Sequence, residues 1–183
     1  MNITPTNIPD VLLLEPKVYE DERGFFLETY REEHLRSRGI DVHFVQDNLS
    51  KSQKNTVRGL HYQIDQQQDK LLMVMQGTIL DVAVDLRADS SSFGEYTAVK
   101  LTGENKHQLF IPKGFAHGFS VLSEEALVYY KCSAYYYPEG ERGLRWNDPE
   151  LDIDWQVEDP IVSEKDQQQP LLDEISKEDL FYG

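Results

Sequence analysis

The chain is short of cysteine, of positive charge and of long apolar runs. Cys132 is the only cysteine in 183 residues. No intrachain disulfide can form, and a zinc cluster built on several thiolates is excluded. A lone thiol also makes the cytoplasm the default compartment. No run of eighteen apolar residues occurs, so no helix is expected to cross a membrane. The opening "MNITPTNIPD" has no basic segment followed by an apolar one, so it does not read as a signal peptide. Lysine and arginine number 18 against 33 aspartates and glutamates, a formal net charge of −15. Such a surface repels phosphate backbones within a Debye length, which argues against a DNA or RNA partner. An anionic small ligand would need a local cluster of Arg, Lys and His.

What is present suits a folded core. Hydrophobic residues make up 39% of the chain, and the length fits one domain over 1–183. The pattern is mainly β. "VLLLEPKVY" (11–19) reads as a strand, with Pro16 marking an edge or bulge. "YREEHLRSRG" (30–39) reads as a helix capped by Gly39. "TVRGLHY", "KLLMVMQG", "TILDVAVDLR", "YTAVKLT", "KHQLFIP", "GFSVLS" and "ALVYYKCSAYYY" follow as short strands separated by turn residues. That spacing predicts a jelly-roll sandwich or barrel. In "MQGTILDVAVDL", Val82, Val84 and Leu86 alternate with Asp81, Ala83 and Asp85. A face carrying Asp81 and Asp85 is either solvent or the polar inside of a cavity. The acidic, turn-rich end from "WNDPELDIDWQ" onward reads as a return over the sheet, with short helical segments near "DEISKEDL".

Two stretches carry candidate chemistry. "TVRGLHYQ" (56–63) puts Arg58 and His61 in a strand-like run interrupted by Gly59. Glycine within a strand often marks a bulge or a close approach. A surface strand with two solvated side chains also accounts for these eight residues. "FIPKGFAHGF" (110–119) places His117 three residues after Gly114. The P-x-G-x-x-H pattern resembles the second half of the cupin motif, where a strand end points a histidine into a β-barrel; a packed histidine beside a tight turn is the simpler reading. Metal-binding cupins supply H-x-H and a glutamate from the first motif. Here "HYQ" offers Gln63 instead of the second histidine, so a barrel without a metal is expected.

Seven stretches, "DERGFF", "FVQDNLSKS", "VRGLHYQ", "GTILDVAVDLR", "IPKGFAHGF", "YYKCSAYYYPEGERGLRWNDP" and "IVSEKD", resemble those of dTDP-4-dehydrorhamnose 3,5-epimerases in the same order. The resemblance implies a cupin-like jelly roll, a homodimer and no cofactor. It implies epimerisation at C3 and C5 of dTDP-4-dehydro-6-deoxy-D-glucose, on the route to dTDP-L-rhamnose. The C4 ketone acidifies both carbons, and inversion requires a base on one face, an enolate stabiliser and an acid on the other. His61 suits the base, since the ordinary histidine pKa near 6.5 lies close to working pH. By resemblance, Asp166 is its carboxylate partner, Lys70 stabilises the enolate and Tyr130 is the acid. Tyr136 is implied as a platform near the thymine. Arg23, Arg58, His117 and Lys165 would form the cation cluster. Glu28, Gln46, Asn48 and Glu141 are implied as polar contacts to the nucleotide and sugar. The loop "YQIDQQQD" departs from the family pattern: it is one residue shorter, with Asp69 where glycine is common. An aspartate there is placed to alter the orientation of Lys70.

Three other functions compete. An epimerase of C3 alone or C5 alone shares the same base and acid. A non-catalytic sugar-nucleotide-binding jelly roll would have lost the base or its partner, yet His61 and Asp166 are both present. A metal-dependent cupin enzyme is the third.

Overall fold

The computed structural model describes residues 1–182. Its strands are β1 (Asn2–Pro5), β2 (Leu12–Glu15), β3 (Val18–Asp21), β4 (Gly24–Leu27), β5 (Gln46–Gln53), β6 (Thr56–Gln63) and β7 (Lys70–Gln76). They continue with β8 (Thr78–Asp85), β9 (Tyr96–Thr102), β10 (Gln108–Ile111), β11 (Phe115–Val121), β12 (Glu125–Cys132), β13 (Glu141–Gly143) and β14 (Ile161–Val162). Helices α1 (Glu32–Arg36) and α2 (Glu164–Gln167) are short. One sheet runs β1-β2-β10-β7-β12-β5, and the facing sheet runs β13-β6-β11-β8-β9 with β14 added parallel to β6. The mainly β sandwich expected from the turn spacing is therefore present. No helix among the described residues is long and apolar enough to cross a membrane.

Three apolar layers hold the sheets. Leu72, Val74, Ile79, Leu109, Ile111, Phe115, Phe119 and Val128 pack between them. Val57, Leu60, Tyr62, Leu80, Val82 and Val84 face outward from the second sheet, where the C-terminal return covers them with Leu151, Trp155, Leu172 and Phe181. Helix α1 sets Leu35 on the outer face of the first sheet, against Leu14, Leu71 and Phe110. Strand β8 is thus buried on both sides, and its Asp81 points inward rather than to solvent.

Two expectations shift. The strand expected over 11–19 is two strands, because Pro16 has no N–H to continue a ladder. Its second half turns into the separate hairpin β3–β4. The helix expected over 30–39 is only the turn and a half of α1, and its C-cap is Ser37 rather than Gly39, which lies two residues further on at φ +79°. The expected helical segments near "DEISKEDL" are two 3-10 turns, Leu172–Glu174 and Lys177–Asp179.

Candidate active site

Side chains in a regular strand alternate, so Arg58 and His61, three positions apart, should point to opposite faces. Gly59 overturns that. Opposite β6, strand β11 pairs His117 with His61 and Phe119 with Arg58, so two steps on β11 match three on β6. The extra residue is a bulge. It resets the alternation, so Val57, Leu60 and Tyr62 join the outer core while Arg58 and His61 both line the space between the sheets. Only glycine suits the position: φ is +107°, and a Cβ there would lie 2.6 Å from the His117 carbonyl oxygen.

That space is a cavity of about 1050 Å³, large enough for a nucleotide sugar by the scale of ordinary ligand sites. The second sheet contributes Arg58, His61 and His117 to it. The first contributes Gln46, Asn48, Ser50 and Ser52 from the inward face of β5, Lys70 from β7, and Tyr130 and Cys132 from β12. Tyr136, Glu141, Lys165 and Asp166 line its rim. His61 and Tyr130 therefore stand on facing sheets.

Asp166 lies on α2, whose N-cap Ser163 accepts the Asp166 N–H. The carboxylate is buried at 4% exposure and its two oxygens are both engaged. Oδ1 lies 2.6 Å from His61 Nε2, and Oδ2 accepts the Gly59 N–H at 3.2 Å. Burial pushes the Asp166 pKa up, but the His61 hydrogen bond, the His61 charge, the Gly59 N–H and Ser163 outweigh it, and the net shift is downward. An ionised carboxylate only accepts, so Nε2 carries the proton and Nδ1 keeps its lone pair.

His117, the cross-strand neighbour of His61, has a carboxylate of its own. Its Nε2 lies 2.9 and 3.0 Å from the two oxygens of fully buried Asp81. Burial raises the Asp81 pKa against the pull of His117 and Lys70. Burial likewise lowers the Lys70 pKa, opposed by the charges of Cys132, Asp81 and Glu141. Tyr130 is raised by burial and by Cys132, with Arg58 opposing, so its phenol holds its proton well above neutral pH. Arg58 is braced by Nε donating to Ser52 Oγ at 2.8 Å and by a long contact from Nη2 to the Lys51 carbonyl at 3.5 Å. At the rim, Tyr136 donates to Glu141 at 2.8 Å and Lys165 reaches the same carboxylate oxygen at 2.5 Å. Gln46 accepts the Tyr136 N–H at 2.9 Å and donates to Asn48 at 3.1 Å.

Eleven of the thirteen residues singled out from sequence therefore converge on this cavity, and Arg23 and Glu28 do not. Arg23 sits at the tip of the β3–β4 hairpin, paired with Asp21 and 85% exposed at its side chain. Glu28 follows the hairpin and pairs with Arg31 and His34. Asp69 does not pair directly with Lys70. Its carboxylate turns away from Lys70 to Ser133 and to the Lys113 N–H. Sequence reading missed Ser52 and gave Asp81 no partner. It also treated Gln63 only as a missing metal ligand, whereas the Gln63 amide ties the loops at Gln66, Tyr135 and Tyr137 together. The alternation of β8 was the one available signal for Asp81. Among the described residues no three of His, Cys, Asp and Glu come together as a metal site would require.

The family model for dTDP-4-dehydrorhamnose 3,5-epimerase matches residues 5–174. A protein of that name from Escherichia coli K12 is 50% identical over 180 residues, covering 96% of each chain. A dTDP-4-dehydrorhamnose 3-epimerase from Streptomyces niveus is less similar, 34% identical over 176 residues, covering 95% of this chain and 85% of the other. The crystal structure of a dTDP-6-deoxy-D-glucose-3,5-epimerase from Legionella pneumophila, in complex with dTDP-4-keto-L-rhamnose, superposes with a TM-score of 0.96 at 48% identity, covering 100% of this chain and 98% of that one. With a family model spanning nearly its whole length and relatives at half identity, the chain belongs to the dTDP-4-dehydrorhamnose 3,5-epimerase family.

Proposed function

We propose that this protein epimerises C3 and C5 of dTDP-4-dehydro-6-deoxy-D-glucose, giving dTDP-4-dehydro-L-rhamnose. The observation that carries this is the placement of an imidazole–carboxylate pair and a buried phenol on opposite sheets of one cavity. The 4-keto sugar held between them is deprotonated from one side, and the planar enolate so formed is reprotonated from the other. His61 Nδ1 takes the proton, and Asp166 stabilises the imidazolium that forms. The Lys70 ammonium lies beside O4 and stabilises the enolate oxygen. Tyr130, kept protonated by burial, delivers a proton to the opposite face. Arg58 binds the diphosphate, because its planar fork matches phosphate oxygens. Tyr136, Gln46, Asn48, Glu141, His117 and Lys165 contact the nucleotide and sugar. These groups supply the acid, the base and the charge for both enolisations, so the reaction is proposed to need no cofactor.

We also propose a homodimer in the cytoplasm. The hairpin β3–β4 exposes Phe25 at 57% and Phe26 at 69%, beside exposed Tyr19. Apolar surface of that kind on an unpaired hairpin favours a second copy. Arg23 and Glu28 ride on the same segment, away from their own cavity, and would reach the site of a partner. The buried, free thiol of Cys132 supports a reducing compartment.

Incubation with the 4-keto sugar nucleotide in heavy water tests the activity. Deuterium is expected at both C3 and C5 by NMR, and NADPH-coupled reduction is expected to yield dTDP-rhamnose. Exchange at one carbon only would reduce the reading to a single-centre epimerase. Gel filtration near 21.2 kDa would refute the dimer.

A further inference from the structure

Asp69 occupies the last position before β7, and its polar atoms all face the flanking chain. Its N–H donates to Ser133 Oγ at 2.7 Å, and its carbonyl accepts the Ser133 N–H at 3.0 Å. The Ser133 hydroxyl donates to Asp69 Oδ2 at 2.8 Å, and the Lys113 N–H donates to Oδ1 at 3.1 Å. Ser133 follows β12, and Lys113 lies in the turn that leaves β10. Those are the two strands on either side of β7. Asp69 thus fastens the start of β7 to both neighbours, at the level where Lys70 opposes Ile111 and Cys132.

Lys70 has no such anchor at its own tip. Among the described residues its ammonium has only burial and distant charges acting on it, with no hydrogen bond or ion pair. A lysine stem carries about 2 kcal/mol of rotamer entropy, so an unpartnered ammonium is aimed by its backbone and by the walls around it. We propose that Asp69 is a positioning residue for Lys70: its clamp on Ser133 and Lys113 fixes the lysine's backbone between β10 and β12, so the ammonium enters the cavity at one place while its charge stays free for the substrate. Successive side chains in a strand point to opposite faces, which lets adjacent Asp69 and Lys70 act without pairing. The inference rests on the enolate-stabilising reading of Lys70 given above.

A double-mutant cycle on the full chain tests it, with epimerisation kinetics, dTDP calorimetry and thermal melting as readouts. Lys70→Met alone is expected to lower kcat by about 10²–10³-fold, the usual loss for one oxyanion-type donor. If it does not, the reading of Lys70 fails, and the inference falls with it for that separate reason. Asp69→Ala is expected to lower kcat roughly tenfold to hundredfold, the scale of a small misplacement, with KM and dTDP affinity unchanged within about twofold. Added to Lys70→Met, it should lower kcat less than about threefold further, since positions acting as one unit are not additive. Asp69→Asn keeps an oxygen for the Lys113 N–H and is expected to recover most of the rate. Additive losses in the double variant would overturn the proposal, and so would a parallel fall in dTDP affinity. If Asp69→Ala does not fold, Ser133→Ala removes the hydroxyl side of the same clamp, and its cycle with Lys70→Met decides the proposal by the same additivity criterion.

Discussion

Replacing Asp166 by asparagine keeps the shape of the side chain and reverses its hydrogen-bonding logic. The carboxylate accepts from Gly59 N–H with one oxygen and from His61 Nε2 with the other. Asparagine has one acceptor and one donor for these two donors. If its oxygen stays on Gly59, its amide N–H₂ faces Nε2, which must then accept. The ring proton moves to Nδ1, and the base is blocked. The flipped amide restores the tautomer but sets N–H₂ against the buried Gly59 N–H, leaving a donor unmade at a cost of about 1–3 kcal/mol. At 1.36 kcal/mol per decade, the blocked tautomer is favoured by about 5- to 150-fold. Losing the charge-assisted part of the bond removes about another 1 kcal/mol from the imidazolium. Together these predict a kcat about 30- to 10³-fold lower for Asp166→Asn. Deuterium uptake at C3 and C5 should fall equally, because proton removal itself is impaired. Calorimetric dTDP affinity should stay within about twofold, since a buried carboxylate behind the histidine does not meet the nucleotide. A variant within tenfold of the original rate, or one that loses nucleotide affinity as much as turnover, would refute this tautomer logic.

Tyr130→Phe should lose inversion by about 10²–10⁴-fold while still exchanging deuterium into at least one carbon; normal inversion would make Tyr130 cavity wall. Gly59→Ala meets φ +107° and a backbone oxygen 2.6 Å from the new Cβ, so calorimetry should show a loss of about 2–4 kcal/mol. That corresponds to a melting point lower by roughly 5–15 °C, and an unchanged melt would contradict the bulge. The pKa of Asp166 is depressed by folding, so its stabilisation is complete above the unfolded value near 3.9 and is lost as pH falls through the lower folded value. Acid unfolding of Asp166→Asn followed below about pH 4 should accordingly be less steep; an identical acid profile would show that the pair contributes nothing there.

The strands were legible because most of this chain alternates or carries short apolar runs between turn residues. Pro16 was legible too, but only as a break. That the residues after it leave the sheet for a hairpin depends on partners far along the chain. The closeness of Arg58 and His61 around a glycine was visible in the sequence. Its cause, a shift of alternation at Gly59, needed the strand opposite. The pairing of His61 with Asp166 came from family resemblance, since no local pattern joins residues 105 positions apart. Asp81 showed only as an acidic residue on an alternating strand. Its pairing with His117 is set by the β8–β11 register, which periodicity does not encode. Arg23 and Glu28 came from resemblance alone, and the fold of this chain leaves both outside its cavity.

The route of the chain also gives the molecule an order of assembly. Every strand that walls the cavity, from β5 through β12, is synthesised before the short helix that bears Asp166. A growing polypeptide has His61, Lys70, Arg58 and Tyr130 in hand before Asp166, the carboxylate that meets His61, has been added. On the proposed mechanism, competence for turnover therefore comes late in synthesis, when the return segment settles on the outer face and brings the Asp166 carboxylate to the bulge. A chain clipped ahead of that helix would lack the chemistry before it lacked the cavity walls, so turnover serves as a sign that the polypeptide has been made through that helix and has docked its return segment.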